Sequence, residues 1–393
     1  MGRPTPLTRQ VPSPTWSNSS LGKHTAHTLS NSLTEEDASW IVRRTELRVS
    51  QVIAKSVYVQ EHCRLDELPR FAHEELVVGD IIASGGFSNV HRIESFGIAT
   101  DLDTDATKKY VVKHLNPKLA NEPKKMAVGA KDLVMEAHFL SSLNHPHIIQ
   151  LRGMCAAGVA GYAETGRAEG FFLIFDQLEA TLSHRLSEWR SVESAAKMNA
   201  VAHGNKASSF FSHLTRKGAP KNMITFQDRI QTAHDIASAV TYLHERGILY
   251  RDLKPGNAGY NADGELQIFD FGLAVELPHS DDPEQLYNLA GNTGTARYMA
   301  VEVIKNKPYN FKADVFSFMT LLWEILALKK PFAELSGQEV KEWVAELGNR
   351  PAIAKYWPQP VRKLMKAGWS TDIEARPTMR QVRDTLASLV VVE

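Results

Sequence analysis

Hydrophobic positions divide the chain into a strand-rich first half and a helix-rich second half. Short apolar runs rich in Val and Tyr predict four strands in the first half. These runs cover residues 76–83, 89–93, 109–114 and 171–175. Leu133, Ala137 and Leu140 recur at helical spacing and predict a helix over 131–143. We therefore expect residues 76–175 to form a small sheet with one helix.

Longer apolar periodicity predicts helices in the second half. Residues 226–246 carry an amphipathic stripe that ends at Gly247, a residue typical of helix C-termini. The 14-residue run 315–328 contains Glu324 and is shorter than the roughly 20 residues that span a membrane, so we expect a buried core helix. Asp263-Gly264 predicts a tight hairpin between two short strands, 258–260 and 266–269. The fold class expected is α+β.

The N-terminal part of the chain has a different composition. Residues 1–34 are rich in Ser, Thr and Pro, contain no acidic residue, and are expected to be a disordered tail. An organelle-targeting segment is the alternative that this composition leaves open. Pro6 replaces the Ser or Thr that myristoylation after Gly2 requires, so that modification is not expected.

Two further segments lack a clear pattern. Residues 35–75 are an extension of uncertain structure, in which Trp40, Ile41 and Leu47 suggest a helix and residues 57–59 resemble a strand. Residues 187–222 show little periodicity and are expected to be a surface insertion, which a fold tolerates because loop-closure entropy grows slowly with length.

Charge and cysteine content narrow the function classes. The 45 basic residues balance 45 acidic ones, which removes the usual electrostatic argument for nucleic-acid binding. Two cysteines, Cys63 and Cys155, exclude a disulfide framework and suit a reducing compartment. We expect a soluble intracellular, cytoplasmic protein with no nucleic-acid partner and no membrane span. The oligomeric state is open.

The first two candidate clusters lie in the strand-rich half. Residues 82–90 (IASGGFSNV) form a small-residue turn between strands, where backbone N–H groups could approach phosphate oxygens. Lys113 ends an apolar strand, and Glu136 follows on the predicted helix between Leu133 and Leu140. A buried carboxylate needs a partner, and Lys113 could supply it. A metal site at His145 and His147 is a minor alternative chemistry.

Two polar clusters in the second half supply what phosphoryl transfer needs. They are residues 250–257 (YRDLKPGN) and 269–272 (FDFG). The reaction needs a carboxylate near the attacking hydroxyl, oxygen ligands for Mg²⁺ and a cation for the transferred group. Asp252 fits the first role, Asn257 with Asp270 the second, and Lys254 the third.

These clusters resemble the eukaryotic protein kinase family over residues 76–392. Further landmarks of the family are NHPHII at 144–149, GTARYMAVE at 294–302, DVFSF at 314–318 and ARPT at 375–378. The resemblance implies a bilobal fold, with a small antiparallel β-sheet lobe and hinge over 76–178. A larger, mainly helical lobe would occupy 179–393 and carry the insertion.

The resemblance also implies residue roles. Asp252 would be the catalytic base, Lys254 would steady the γ-phosphate of ATP, and Asn257 with Asp270 would ligate Mg²⁺. Lys113 would bind the α- and β-phosphates and pair with Glu136. The remaining expected ATP contacts are the loop residues Ala83, Ser84, Gly85, Gly86, Phe87 and Ser88, the adenine slot Ile82, Val90 and Val111, the gatekeeper Phe175, and the hinge residues Asp176 and Leu178.

Two structural features follow from the same resemblance. Leu140, Leu151, Tyr250 and Phe271 fall at stacked apolar positions that join the lobes of active kinases. Glu302 would pair with Arg376 to brace the C-terminal lobe, although Val301 replaces the usual Pro before Glu302.

The glycine-rich loop departs from the family pattern. Gly85 is the only one of three expected glycines, because Ala83 and Ser88 replace the others. We therefore expect weaker or slower nucleotide handling. A pseudokinase that keeps the fold without transferring phosphate is the alternative this departure favours, and a small-molecule kinase of the same fold is a third.

Lys254 and Thr295 resemble the serine/threonine type, and the pattern ending at Gly153 resembles the tyrosine-kinase-like group. Protein substrates with Ser or Thr hydroxyls are therefore expected. Arg251 could receive a phosphate from the segment 270–302. Phosphorylation at Thr293, or alternatively at Ser280 or Tyr287, is expected to raise activity.

Overall fold

The computed structural model describes residues 32–104, 107–202 and 224–390. Residues 1–31 of the predicted tail and residues 203–222 of the predicted insertion lie outside the described residues. Among the residues that the structure describes, no helix is long and apolar enough to cross a membrane.

The N-terminal lobe contains a six-stranded sheet. Its strands are β1 Arg70–Phe71, β2 Leu76–Ser84, β3 Ser88–Phe96, β4 Tyr110–Leu115, β5 Leu151–Cys155 and β6 Phe172–Asp176. They lie in the order β1-β5-β6-β4-β3-β2. Among the described residues, β1 and β5 are the only parallel neighbours in this sheet, and the other neighbouring strands are antiparallel. The four predicted strands are therefore confirmed, with shifted ends.

The main helix of this lobe is longer than predicted. It begins at Pro123, where the missing proline N–H costs no helical hydrogen bond, and ends at Ser142 (α3, Pro123–Ser142). Gly129 interrupts the apolar pattern, so the predicted helix did not include the first two turns of α3. A Cβ at Gly129 would lie 3.0 Å from Leu115 Cδ2 and 3.1 Å from Phe87 Cδ1, so glycine lets α3 approach the sheet closely.

The segment before the sheet is helical. Its helices are α1 (Glu35–Ile53) and α2 (Val57–His62), so the strand-like pattern of residues 57–59 does not form a strand. Leu33 is buried, and its N–H donates to the Gly166 carbonyl at 2.7 Å. The prediction that the disordered tail extends to residue 34 is therefore wrong for residues 32–34, because Leu33 has an apolar site to fill.

The C-terminal lobe is mainly helical. Its helices, together with the short α4 that precedes β6, are α4 Gly161–Thr165, α5 Leu182–Ala202, α6 Phe226–His244, α7 Val301–Ile304, α8 Lys312–Ala327, α9 Gly337–Ala345, α10 Gln359–Gly368 and α11 Met379–Ala387. Every residue of α8 from Lys312 to Leu326 is buried, which confirms the predicted core helix. A capping box between Thr225 and Asp228 fixes the start of α6.

Short strands shape the face of this lobe that meets the sheet lobe. They are β7 Ala180–Thr181, β8 Ile248–Leu249, β9 Ala258–Tyr260, β10 Leu266–Ile268 and β11 Val275–Glu276. The predicted hairpin joins β9 to β10, and Gly264 adopts the positive φ of 80° that its turn requires. β8 pairs with β11, so the residues that follow β8 lie beside those that precede β11.

The predicted surface insertion does not begin at residue 187. Helix α5 continues through that position to Ala202. Arg190 donates from Nη2 to Glu324 at 2.6 Å and from Nε to the Leu328 carbonyl at 3.1 Å. Glu193 is buried against Arg229, with 3.6 Å between Oε2 and Nη2. Polar side chains anchor this helix, which is why apolar periodicity did not reveal it.

Candidate active site

Strand β4 and helix α3 bring Lys113 and Glu136 together. Lys113 Nζ lies 2.6 Å from Glu136 Oε2 and 3.2 Å from Asp270 Oδ1. Glu136 is only 2% exposed, so an unpaired charge there would be costly. Burial by itself lowers the pKa of Lys113, but the carboxylates of Asp270 and Glu136 outweigh it and hold the pKa above its ordinary value. Lys113 is therefore a cation at neutral pH.

Asp270 lies where the chain leaves β10 and turns back toward the cleft. Its φ of 69° is left-handed, a strained conformation that occurs in functional sites. Lys113 holds the pKa of the Asp270 carboxyl below its usual range, against the opposing effect of burial. Asp270 is thus an ionised carboxylate beside the Lys113–Glu136 pair.

Asp252 is the centre of a second cluster. Its Oδ2 accepts from Lys254 Nζ at 2.5 Å and from Asn257 Nδ2 at 2.9 Å. Its Oδ1 accepts from Thr295 Oγ1 at 2.7 Å. Three donors from the loop and from the segment 270–302 therefore fix one buried carboxylate, including Thr295, to which the sequence assigned no contact.

Asp314 holds the backbone at the start of the loop of residues 250–257. It accepts from the backbone N–H groups of Tyr250 (2.8 Å) and Arg251 (2.9 Å), and His244 Nε2 lies 2.9 Å from its Oδ2. These bonds help to hold Arg251 at its left-handed φ of 71°. Sequence analysis identified Asp314 only as the start of a helix. An acidic residue in the first turn of an otherwise apolar core helix was the available signal.

The predicted apolar stack is buried throughout. Leu140, Leu151, Tyr250 and Phe271 are each 7% exposed or less. The rings of Tyr250 and Phe271 pack edge to face with centroids 5.2 Å apart, and the Tyr250 hydroxyl donates to the Phe269 carbonyl. Burial raises the pKa of Tyr250 well above its ordinary value, so this donor stays protonated. The stack links both polar clusters.

The small-residue turn between β2 and β3 is tied by side chains. Gly85 N–H donates to the Ser88 carbonyl at 2.8 Å, and Ser84 Oγ donates to Asn89 Oδ1 at 2.8 Å. Asn116, which follows β4, donates from Nδ2 to the Gly85 carbonyl at 3.0 Å and from its N–H to the Phe87 carbonyl at 2.9 Å. Sequence analysis missed Asn116, because nothing in its surroundings marks this long-range contact.

The predicted adenine slot and hinge flank this turn. Val111 is buried opposite the gatekeeper Phe175 in the β4–β6 register, Val90 is half-buried, and Ile82 is exposed. The remaining hinge residue Leu178 is half-buried and lies against Gly259.

The side chain of Asp176, the first hinge residue, is held from β5. Arg152 donates three hydrogen bonds of 2.7–3.0 Å to this carboxylate. Sequence analysis missed Arg152, a charged residue within an apolar strand, and its position was the signal that a carboxylate partner existed.

A family model for protein tyrosine and serine/threonine kinases matches residues 76–386. The chain belongs to the protein kinase family. The match includes both polar clusters, the turn and the brace at Arg376. The matched range does not include α1 and α2.

Three curated relatives illustrate the similarity. Dual specificity protein kinase shkB of Dictyostelium discoideum is 35% identical over 44% of this chain and 26% of its own length. Human mitogen-activated protein kinase kinase kinase 7 is 28% identical over 66% and 36%, respectively. Serine/threonine-protein kinase STY17 of Arabidopsis thaliana is 32% identical over 43% and 29%. The chain thus spans about a quarter to just over a third of the length of these kinases.

The brace of the C-terminal lobe has the geometry expected of a kinase. Arg376 is buried and donates to Glu302 through two bonds of 2.6 and 2.8 Å. It also donates to the carbonyls of Ser370 (2.8 Å) and Lys312 (3.0 Å). Val301, in place of proline, begins α7 without disturbing this pair.

Other sequence candidates lie outside the two clusters. His145 Nε2 lies 3.3 Å from Ser238 Oγ, and His147 Nδ1 lies 2.8 Å from the Leu266 carbonyl oxygen. These rings tie the segment between α3 and β5 to the helical lobe, and across the described ranges no group of His, Cys, Asp or Glu could hold a metal through three ligands. The alternative metal site is therefore not formed there.

Asn116 offers a test of the tied loop. Asn116→Asp keeps the oxygen that caps the following 3₁₀ turn but removes the donor to Gly85. We expect the KM for ATP to rise about fivefold, the effect of losing one hydrogen bond, with kcat nearly unchanged. Steady-state kinetics at varied ATP measure it. Asn89→Asp adds the same charge and keeps the acceptor for Ser84, so an equal rise in both variants would contradict this role.

Proposed function

We propose that the protein is an ATP-dependent serine/threonine kinase that transfers the γ-phosphate to protein hydroxyls. One observation carries the proposal: the chain forms two hydrogen-bonded clusters, Lys113 with Asp270 and Asp252 with Lys254 and Asn257, and Lys254 lies close enough to Asp270 to help lower the pKa of its carboxyl. The lobes divide at the hinge, residues 176–178.

Asp252 is proposed as the catalytic base. Its carboxylate is positioned by Thr295 and Asn257 and would accept the proton of the attacking hydroxyl. Lys254, fixed by the same carboxylate, would stabilise negative charge on the transferred phosphoryl group. Holding both residues in place before substrate binds removes a reorganisation cost from the reaction.

Asn257 and Asp270 are proposed to hold Mg²⁺. The Asn257 amide nitrogen is engaged by Asp252, which orients the side chain, and Asp270 is an ionised carboxylate. Carbonyl and carboxylate oxygens are the protein ligands that Mg²⁺ prefers, so the residues fit the ion. When bound, Mg²⁺ neutralises and orients the phosphates. Lys113, held by Glu136, would contact the α- and β-phosphates.

The nucleotide would lie beneath the turn of residues 83–88. Backbone N–H groups of this turn do not depend on glycine at positions 83 and 88, and Asn116 limits the movement of the loop. Adenine would lie between Ile82, Val90 and Val111 beside the hinge. This arrangement supports nucleotide binding despite the two missing glycines.

The serine/threonine preference rests on Lys254 and Thr295. These two side chains contact opposite oxygens of Asp252 and so shape the place where the acceptor hydroxyl must enter. Two of the three relatives are named as a dual specificity kinase and a serine/threonine-protein kinase, which supports this class. We further propose a reducing compartment, consistent with free Cys63 and Cys155.

Labelled ATP tests the proposal. The full chain with Mg²⁺, γ-labelled ATP and a generic basic protein should yield phosphoserine and phosphothreonine after acid hydrolysis, and phosphosite mapping should locate them. ATP binding without any transferred label would instead establish the pseudokinase alternative. Phosphotyrosine alongside the other two would show dual specificity.

We propose Thr293 as the regulatory phosphorylation site. Arg251 Nη1 lies 3.5 Å from the Tyr309 hydroxyl, which donates to the Ala290 carbonyl at 2.8 Å, and Thr293 Oγ1 donates to that same carbonyl at 3.0 Å. A short hydrogen-bonded chain thus connects Arg251 to Thr293. Within the described ranges no carboxylate forms an ion pair with Arg251, which favours a phosphate as its partner.

The other two candidates are held differently. Ser280 Oγ accepts from the Asp282 N–H at 3.1 Å, and the Tyr287 hydroxyl donates to the Pro278 carbonyl at 2.8 Å. The Ser280 contact does not lead to Arg251, and Tyr287 reaches Tyr309 through backbone hydrogen bonds of 3.0 and 3.1 Å rather than through its hydroxyl, the atom that would be phosphorylated. Ser280 and Tyr287 therefore remain secondary proposals.

Thr293→Ala distinguishes these sites. We expect it to remove an approximately tenfold activation that wild type gains on incubation with ATP, because a phosphate adds charge-assisted hydrogen bonds that order the segment. Ser280→Ala and Tyr287→Phe should retain that gain. Turnover is measured before and after phosphatase treatment. Undiminished turnover of the triple variant after phosphatase would contradict regulation at all three positions.

A further inference from the structure

The two helices that precede the matched residues 76–386 pack against the rest of the protein. Helix α1 packs on α3 and α4, and buries Ala38, Ile41 and Thr45. Leu33 anchors its beginning through the hydrogen bond to Gly166. Because this face is buried, α1 is an integral part of the N-terminal lobe rather than an appendage.

Helix α2 contacts the C-terminal end of α3. The Tyr58 hydroxyl donates to the carbonyl of Ser142, the last residue of α3, at 3.2 Å. Arg246 Nε donates to the same hydroxyl at 3.1 Å. Just after α2, Cys63 Sγ lies 3.4 Å from His138 Nδ1. Two points on α3 are therefore fixed by the extension, one turn apart.

The backbone at the start of α2 contacts the C-terminal lobe. Glu276 accepts from the Tyr58 N–H at 2.7 Å through Oε1 and from the Val59 N–H at 3.2 Å through Oε2. Glu276 belongs to β11 and pairs with Ile248 of β8. Since β8 leads directly into the loop 250–257, Glu276 joins α2 to the backbone that carries Asp252.

These contacts bear on the Lys113–Glu136 pair. Glu136 lies two residues before His138 on α3, so movement of this helix end would withdraw the carboxylate. Lys113 has a second carboxylate, Asp270, 3.2 Å away, and would not be left unpaired by that movement. The cost of that movement would fall on the buried Glu136, and contacts elsewhere on α3 add to those that hold the helix.

We propose that Tyr58 and Glu276 are positioning residues for phosphoryl transfer. They clamp α2 between α3 and the β8–β11 pair, and so keep Glu136 at Lys113 while the two lobes are held together. The proposal rests on the proposed kinase function for its effect on rate. Its effect on α3 is independent of catalysis.

A double variant tests the clamp. Tyr58→Phe keeps the ring and removes the bonds to Ser142 and Arg246, and Glu276→Gln weakens the acceptor for two N–H groups. The matched control combines Tyr162→Phe, whose hydroxyl is buried with no hydrogen-bond partner in the described chain, with Glu265→Gln on the exposed hairpin. Circular dichroism and gel filtration confirm folding, and Tyr58→Phe alone serves if the double variant fails to fold.

Hydrogen exchange of the full chain without nucleotide reports on α3 directly. We expect amides of residues 133–142 to exchange about tenfold faster in the clamp variant, as expected for losing one or two hydrogen bonds, and to be unchanged in the control. Equal exchange in the clamp variant and wild type would overturn the proposal, whether or not the protein transfers phosphate.

Kinetics separates positioning from a merely structural role. We expect the clamp variant to lower kcat about tenfold. In a Glu136→Gln background, the same changes should lower kcat by less than twofold further, because the carboxylate they position is already gone. A full tenfold loss in that background would overturn the proposal. No transfer by wild type would refute the kinase function, and the exchange measurement would then decide the clamp.

Discussion

Asp252→Asn should lower kcat about 10³-fold, with the affinity for ATP nearly unchanged. The amide cannot accept a proton from the attacking hydroxyl, and general base catalysis contributes about 10²–10⁴-fold. The substitution keeps the size of the side chain, and its one oxygen can still accept from Asn257 while its new amide N–H group donates to the Thr295 hydroxyl. Initial rates of ADP release at saturating ATP and protein substrate measure the change.

Asp263→Asn is the matched control. Asp263 is exposed in the β9–β10 turn, and the same loss of charge there should leave kcat within a factor of two. A kcat for Asp252→Asn within tenfold of wild type would contradict the assignment of Asp252 as the base. Equal residual label in both proteins would indicate a contaminating kinase.

Arg376→Met should lower Tm by about 10 °C. Removing Arg376 leaves the buried Glu302 carboxylate without its two donors, and breaking a buried ion pair costs about 3–5 kcal/mol. The carbonyls of Ser370 and Lys312 also lose a donor. Scanning calorimetry of the full chain measures the transition.

Arg383→Met separates burial from charge. Arg383 pairs with Asp384 on the exposed side of α11, where such pairs contribute about 0–1 kcal/mol. We expect its Tm to stay within about 2 °C of wild type. A shift as small for Arg376→Met would show that the Glu302–Arg376 pair does not brace the lobe.

The two polar clusters were predictable because short motifs encode them. Asp252 and Asn257 are five positions apart, and one loop brings them into contact. Lys113 and Glu136 are 23 positions apart, yet each follows from a local pattern: a cation that ends an apolar strand and an acid on the buried face of a helix. The elements that carry them were predicted to within a few residues, except for the start of α3.

The supports of the site were not predictable in the same way. Thr295, Asp314 and Asn116 act through hydrogen bonds that span 31 to 64 residues of the chain, and no periodicity marks such contacts. The prediction missed the continuation of α5 past residue 187 for a related reason, because Arg190 anchors this part of the helix through hydrogen bonds. A pattern of apolar positions indicates which faces of the elements are buried, but it does not indicate which polar groups form hydrogen bonds with each other.

The extension shows a third limit. Residues 35–62 carry enough apolar residues for two helices, but short amphipathic segments are only marginally stable until they pack on a partner. Their partner is α3, which lies tens of residues further along the chain. Sequence analysis could therefore suggest a helix here and could not choose it.

A structure of the full chain with Mg²⁺ and a non-hydrolysable ATP analogue tests the central claim most directly. We expect the metal to be bound by oxygens of Asn257 and Asp270, Lys113 to contact the α- and β-phosphates, and Asp252 to face the γ-phosphate. A nucleotide whose phosphates lie away from both polar clusters, or a metal held by other residues, would contradict the account.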